Sequence, residues 1–151
     1  MAARIIGVGQ QWAGDDGVGI AVIRKLREAA ARCELIELNE PARLIDLLTD
    51  GADPVVLVDA LLDDGPSGRV LLIDSHRRDA RSKHLLSTHG LGVMDAIELA
   101  RALHPARVAP RIFLVAITVQ EAARRGVGLS PVVDAAVPRA AAQALMLVAR
   151  G

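Results

Sequence analysis

A chain of 151 residues with 52% hydrophobic side chains is long enough to bury one full core, and 18 Lys and Arg against 18 Asp and Glu leave it without net charge. One Phe, one Trp and no Tyr deprive it of the aromatic platforms on which single-stranded nucleic acids stack, so nucleic acid is a poor fit as a partner. Cys33 is alone, which permits neither an internal disulfide nor a thiolate cage, and no apolar run approaches membrane-spanning length; both point to a cytoplasmic protein with Cys33 as a small buried hydrophobe.

The first apolar run, Ile5 to Val8, enters a Gly-rich loop that ends in Asp15 and Asp16, just ahead of an amphipathic segment from Val18 to Leu26. This reads as strand, tight loop and helix, with the loop at the carboxyl end of a strand, where open α/β sheets bind ligands. Phosphate suits it badly. The spacing after Gly7 and Gly9 lacks the third Gly of a dinucleotide fingerprint, no P-loop pattern occurs, and two carboxylates stand where a pyrophosphate would dock. Acids there suit a cation or a general base; the alternative is that Asp15 caps the helix and Asp16 complements its dipole.

The helix continues through Ala21 to Ala31, with Ile20, Ile23 and Leu26 on one face and Arg24, Lys25, Arg27 and Glu28 on the other. Cys33 to Leu38 alternates apolar and acidic residues as a second strand, and Pro41 opens a helix over Ala42 to Leu48. Val55 to Val58 is a continuous aliphatic run, the mark of a central strand buried on both faces, and it delivers Asp59 to its carboxyl end. Arg69 to Ile73 follows too closely for a parallel crossover, which needs about a dozen residues, so it is expected to run antiparallel to the third strand near one edge.

Ser75 to Lys83 is basic and aperiodic, a solvated loop. Ser87-Thr88-His89-Gly90 opens a periodic helix through Leu91, Val93, Met94, Ile97, Leu99 and Leu103 that ends near Pro105. Arg111 to Ile117 is a fifth strand, apolar and central; Thr118 to Gly128 forms a loop or short helix, and Leu129 to Val148 closes the chain as an Ala-rich helix with Pro138 as a kink. His76, His84 and His104 fall in loops or at a helix end and read as solvent-facing. The order βαβαβ, β, α, β, α implies one domain over residues 1–151. Its expected architecture is a three-layer α/β/α sandwich: a five-stranded, mostly parallel sheet with one antiparallel strand and helices on both faces.

If strands one, three and five are neighbours, Asp16, Asp59 and His89 can converge on one crevice. Two carboxylates and one imidazole make a divalent-metal site, and a helix N-terminus would keep the imidazole neutral, the form a metal needs. Each residue also has a plainer role open to it: Asp59 bonding loop amides, His89 capping. A non-haem iron enzyme is a poorer match, because its facial triad takes two His and one carboxylate.

The segment Gly7-Val8-Gly9, Gly14-Asp15-Asp16-Gly17-Val18-Gly19 resembles the opening signature of the nickel-iron hydrogenase maturation endopeptidases. Val58-Asp59-Ala60, Thr88-His89-Gly90-Leu91-Gly92 and Gly128-Leu129-Ser130-Pro131 follow in the order that family shows. The resemblance implies a protease that removes a C-terminal extension from the hydrogenase large-subunit precursor after nickel insertion. It also implies that Asp16, Asp59 and His89 bind nickel supplied by the substrate, with no organic cofactor. Two departures are visible. Gln10 stands where the family has Asn, and Leu38-Asn39-Glu40-Pro41 replaces an Asp-Gly-Gly-Thr loop associated with substrate recognition, which makes Gln10, Asn39 and Glu40 the expected substrate contacts of a divergent branch. No nucleophile stands out, so a metal-assisted or carboxylate-activated water is expected to make the cut, with Asp16 or Asp59 as base. The competing class is a non-catalytic module that docks on the large subunit or handles nickel.

Overall fold

The computed structural model describes residues 2–10, 13–77, 86–87, 92–124 and 126–150. In chain order the strands are β1 (Arg4–Val8), β2 (Glu34–Leu38), β3 (Val55–Leu62), β4 (Val70–Asp74), β5 (Leu86–Ser87) and β6 (Ile112–Val119). The helices are α1 (Val18–Glu28), α2 (Leu44–Leu48), α3 (Val93–Leu103), α4 (Pro131–Asp134) and α5 (Val137–Ala149). The main sheet runs β2-β1-β3-β6-β4, parallel throughout except for β4, which lies antiparallel to β6 at the edge; β5 adds two antiparallel residues beside the far end of β3. This is the expected mostly parallel five-stranded sheet, with β1, β3 and β6 adjacent.

The period-2 alternation of the central strands divides the core between two faces. Ile5, Val56, Val58, Val115 and Ile117 pack with Val22, Ile23 and Leu26 of α1 and with Ala140, Ala144 and Leu147 of α5. Ile6, Val8, Val55, Leu57 and Leu114 pack with Leu44 and Leu48 of α2 and with Ala96, Ile97 and Ala100 of α3. Helices therefore cover both faces. The layer that would be apolar on both sides of a strand is apolar in the sequence, which is why Val55–Val58 reads as a continuous run.

Several boundaries differ from expectation. β3 continues four residues past Val58, because Asp59, Ala60, Leu61 and Leu62 remain paired with Ala116, Ile117, Thr118 and Val119 of β6. Asp59 thus lies inside a strand rather than at its end. The helix expected to open at 87–90 begins at Val93 behind an extended Gly92, and Ser87 belongs to β5. Pro41 starts a 3-10 turn, Pro41–Arg43, before α2. The closing helix is two helices rather than one kinked rod, and Pro138 sits in the first turn of the second, where its missing N–H costs no hydrogen bond.

Pro131–Ala149 is by length and composition apolar enough to cross a membrane, 19 residues at mean hydropathy 1.4, contrary to the expectation that no run approaches that length. Its apolar side is taken up by the core: Val133, Val137, Ala140, Ala144 and Leu147 are all buried against the sheet and α1. Cys33 is only half-buried, and burial pushes its thiol pKa up.

Candidate active site

The site is built where α1 meets the carboxyl end of β1 and the middle of β3. A Cβ on Gly19 would fall 2.5 Å from the carbonyl oxygens of both Val8 and Val58, closer than any side chain permits, so glycine lets the first turn of α1 rest directly on the two strands. Gly9 does the same for the preceding turn, since a Cβ there would lie 2.4 Å from the Asp16 carbonyl oxygen. The glycines of the opening motif serve backbone approach rather than a phosphate. The turn they admit, Gly14–Gly17, is a 3-10 turn lying against β3, and it carries both acids.

The two neighbouring carboxylates have different fates. Asp15 is fully buried, and its two oxygens accept hydrogen bonds from Ser130, one from the backbone N–H at 2.6 Å and one from the hydroxyl at 2.7 Å. It caps neither its own turn nor α1, contrary to the capping role open to it in the sequence; it clamps the residue that precedes α4. Asp16 is 6% exposed, and its Oδ2 accepts the Nε–H of Arg124 at 3.1 Å. Its Oδ1 is buried with no hydrogen-bond partner among the described residues. Buried carboxylate oxygens are almost always paired, so this one stands out from the rest of the core.

Asp59 is 3% exposed and its Oδ1 accepts the N–H of Ala60 at 2.8 Å, an amide inside the strand rather than one of the loop amides open to it in the sequence. By strand alternation it shares a face with Leu57 and Leu61, the face that α3 covers. Asp16 and Asp59 thus come to the same end of the sheet, one in the turn against β3 and the other within β3, one residue beyond the Val58 carbonyl on which α1 rests. His89, the expected third member, lies outside the described residues. Among the described residues no group of three or more His, Cys, Asp or Glu is poised to hold a metal.

Gln10, after β1, and Asn39 and Glu40, after β2, are exposed on neighbouring loops, which the bond from the Gly9 N–H to the Leu38 carbonyl at 3.0 Å holds together. Of the remaining histidines, His76 is exposed and its Nε2 stands 2.7 Å from the Pro110 carbonyl, while His104 is half-buried.

Two residues that brace the acid-bearing turn have no place in the sequence reading of its chemistry: Arg124, on Asp16, and Ser130, on Asp15 alone. Both lie in the connection from β6 to α4, which is fastened to the acid-bearing turn at three points: Arg124 on Asp16, Ser130 on Asp15, and the Gly14 N–H on the Gly126 carbonyl at 3.0 Å. Ser130 belongs to a motif that the sequence displays, whereas Arg124 meets a partner 108 positions away and has no local signature. The Asp16 carboxylate holds the Arg124 guanidinium pKa above its usual value, with Glu121 adding to the effect.

Residues 20–147 match a family model described as HycI: Hydrogenase maturation protease. That span includes Asp59, Arg124 and Ser130 and begins just after the acid-bearing turn. The chain is 27% identical over 138 residues to Protein FrxA of Pyrococcus furiosus, covering 91% of this chain and 98% of that one. The [NiFe] hydrogenase maturation protease HybD from Thermococcus kodakarensis superposes with a TM-score of 0.75 at 25% identity, covering 98% of this chain and 99% of its own. The hydrogenase maturating endopeptidase HybD from E. coli shares the fold at a TM-score of 0.75 and 20% identity, covering 99% and 93%. A family model matched over most of the chain settles the assignment: the chain belongs to the hydrogenase maturation protease family and is an endopeptidase.

Proposed function

We propose that this endopeptidase removes the C-terminal extension of a nickel-iron hydrogenase large-subunit precursor, and that it recognises nickel already inserted in that substrate. The observation that carries the reading is Oδ1 of Asp16, buried without a hydrogen-bond partner among the described residues, beside a carboxylate whose own two oxygens are both satisfied. An unpaired, ionisable oxygen at the carboxyl end of the sheet is suited to a cation that arrives with the substrate. Asp16, Asp59 and His89 are the residues assigned to hold it, a carboxylate and imidazole donor set that nickel accepts. Nickel held there would act as a Lewis acid on a neighbouring carbonyl or water.

The chain's own residues divide the remaining work. A carboxylate of the pair takes a proton from water as the water oxygen bonds to the scissile carbonyl carbon. The carbon–nitrogen bond then breaks, and the proton passes to the leaving amine. Burial of both acids keeps bulk water from competing for their oxygens. Gln10, Asn39 and Glu40, exposed on loops beside the crevice, are assigned to contacts with the precursor.

The test is intact-mass measurement of a nickel-loaded precursor after incubation with this protein, beside a nickel-free control. Loss of a C-terminal peptide in the nickel sample alone is expected. Equal loss in both samples would overturn nickel recognition, and binding without loss in either would overturn the cleavage assignment for that precursor. His89→Ala is expected to abolish the cut, and wild-type cleavage by that variant would remove His89 from the site.

A further inference from the structure

We propose that Arg124 is a positioning residue for the cleavage: by holding Oδ2 of Asp16 it selects Oδ1 as the oxygen that meets the substrate. This rests on the assignment of Asp16 to the substrate.

A carboxylate has two equivalent oxygens and a soft terminal torsion, so a site that uses one of them needs something to hold the other. Arg124 does this through its Nε. Its Nε–H lies 3.1 Å from Asp16 Oδ2, while its Nη1 donates to both oxygens of Glu121, at 3.2 and 3.1 Å. The arginine is therefore itself steadied from the far side, and its rigid fork presents Nε–H to Asp16 in a fixed direction. The two side chains differ in exposure, 27% for Arg124 and 9% for Asp16, so the pair spans the rim of the crevice with the acid on the inner side.

Stability alone does not favour this arrangement. A buried ion pair that leaves one oxygen unsatisfied returns less than its desolvation costs, and the adjacent Asp15 shows that this turn is able to satisfy both oxygens of a carboxylate. The anchoring of the β6–α4 connection also does not need Arg124, since the Asp15–Ser130 bonds and the Gly14–Gly126 bond already hold it. What Arg124 adds is direction: it comes from the segment immediately after β6, Glu121–Arg124, which packs on the acid-bearing turn, and it grips only the oxygen on its own side.

The experiment compares wild type, Arg124→Gln, Arg124→Lys, Ser130→Ala and Asp16→Asn. Cleavage of nickel-loaded precursor is measured as kcat and KM well below each melting temperature, and equilibrium binding of the same precursor is measured separately. Arg124→Gln is expected to lower kcat about tenfold or more, with KM and precursor affinity within about threefold of wild type. Arg124→Lys, which keeps the charge without the fork, is expected to fall between, below wild type by about threefold or more. It carries the test if Arg124→Gln does not fold.

Ser130→Ala loosens the same connection without touching Asp16, and its kcat is expected to stay within about threefold. A wild-type kcat for Arg124→Gln, or for Arg124→Lys where that variant carries the test, overturns the proposal. So does a Ser130→Ala defect as large as that of Arg124→Gln, which would assign the effect to loop anchoring. If Asp16→Asn itself cleaves at the wild-type rate, the assignment of Asp16 to the substrate fails; inactive Asp16→Asn beside fully active Arg124→Gln overturns the positioning role alone.

Discussion

Asp15 and Ser130 are 115 positions apart, yet both oxygens of the Asp15 carboxylate close on the backbone N–H and hydroxyl of Ser130 at 2.6 and 2.7 Å. The bond joins the loop after β1 to the entry of α4, and Asp15 is fully buried beneath it. Hydrogen bonds to a buried charge contribute about 1.5–3 kcal/mol each, so Ser130→Ala is expected to cost about 2 kcal/mol. For a chain of this size that is a fall of roughly 4–8 °C in melting temperature. Asp15→Asn is expected to cost more, about 3 kcal/mol, because an amide NH2 would face one of the two Ser130 donors. Calorimetric melting checks both, and a Ser130→Ala shift under one degree would show that the contact is strained rather than stabilising.

Asp16 behaves in the opposite way. Among the described residues one bond from Arg124 serves its carboxylate, and its second oxygen has no partner. Asp16→Asn keeps an oxygen to accept from Arg124 and removes an unsatisfied anion, so melting is expected to change by less than about 1 kcal/mol. Cleavage of the precursor is expected to fall by about 100-fold or more, the usual loss when a general base or charged ligand is removed. Loss of stability at Asp15 and loss of turnover at Asp16 are thus expected to separate. Turnover lost in Asp15→Asn with its melting temperature unchanged, and retained in Asp16→Asn, would reverse the two assignments.

Much of this arrangement is legible in the sequence because local patterns carry it. Val55–Val58 and Ile112–Ile117 are continuous apolar runs that only doubly covered strands need, and the short connection into β4 forces it antiparallel. The Asp16 turn and Asp59 fall at the carboxyl side of adjacent strands for the same topological reason. What is not legible depends on partners distant in the chain. A charge ordinarily ends a strand, yet β3 runs through Asp59 because β6 continues to pair with it as far as Val119. The Asp15 clamp and the Arg124 contact each join residues more than a hundred positions apart, and nothing in either local segment announces them. Pro138 marks a disturbance in the closing helix, but the break itself precedes it, between Asp134 and Val137.

Gly19 offers a test of the opening motif that is independent of chemistry. Alanine is the better helix former by about 1 kcal/mol, so propensity alone would stabilise a Gly19→Ala helix. Its Cβ, however, would lie 2.5 Å from the carbonyls of both Val8 and Val58, which are backbone atoms of the two central strands and cannot swing aside. The steric effect is larger, about 3 kcal/mol or more, and the net outcome is destabilisation with much of the protein insoluble. A soluble Gly19→Ala protein melting at or above wild type would mean that α1 has room to ride higher on the sheet.

At the opposite end of β1, Arg4 is buried and its guanidinium binds Asp50 at 2.6 Å, Glu34 at 2.9 Å and the Leu47 carbonyl at 2.7 Å. The hydrogen bond from Arg4 holds the Asp50 carboxyl below its ordinary value near 3.8. A carboxyl lowered in the folded state contributes stability that is fully present above the unfolded value and is lost as pH falls through the folded one, because the unfolded chain binds the proton first. The contribution of Asp50 is therefore complete at neutral pH and decays below about pH 3.8, and it is modest because the side chain is 42% exposed and screened by solvent. Asp50→Asn removes this titration, so its urea midpoint is expected to fall less steeply than that of wild type between about pH 5 and about pH 2. Parallel curves for the two proteins would mean that Glu34 and the Leu47 carbonyl hold Arg4 without help from Asp50.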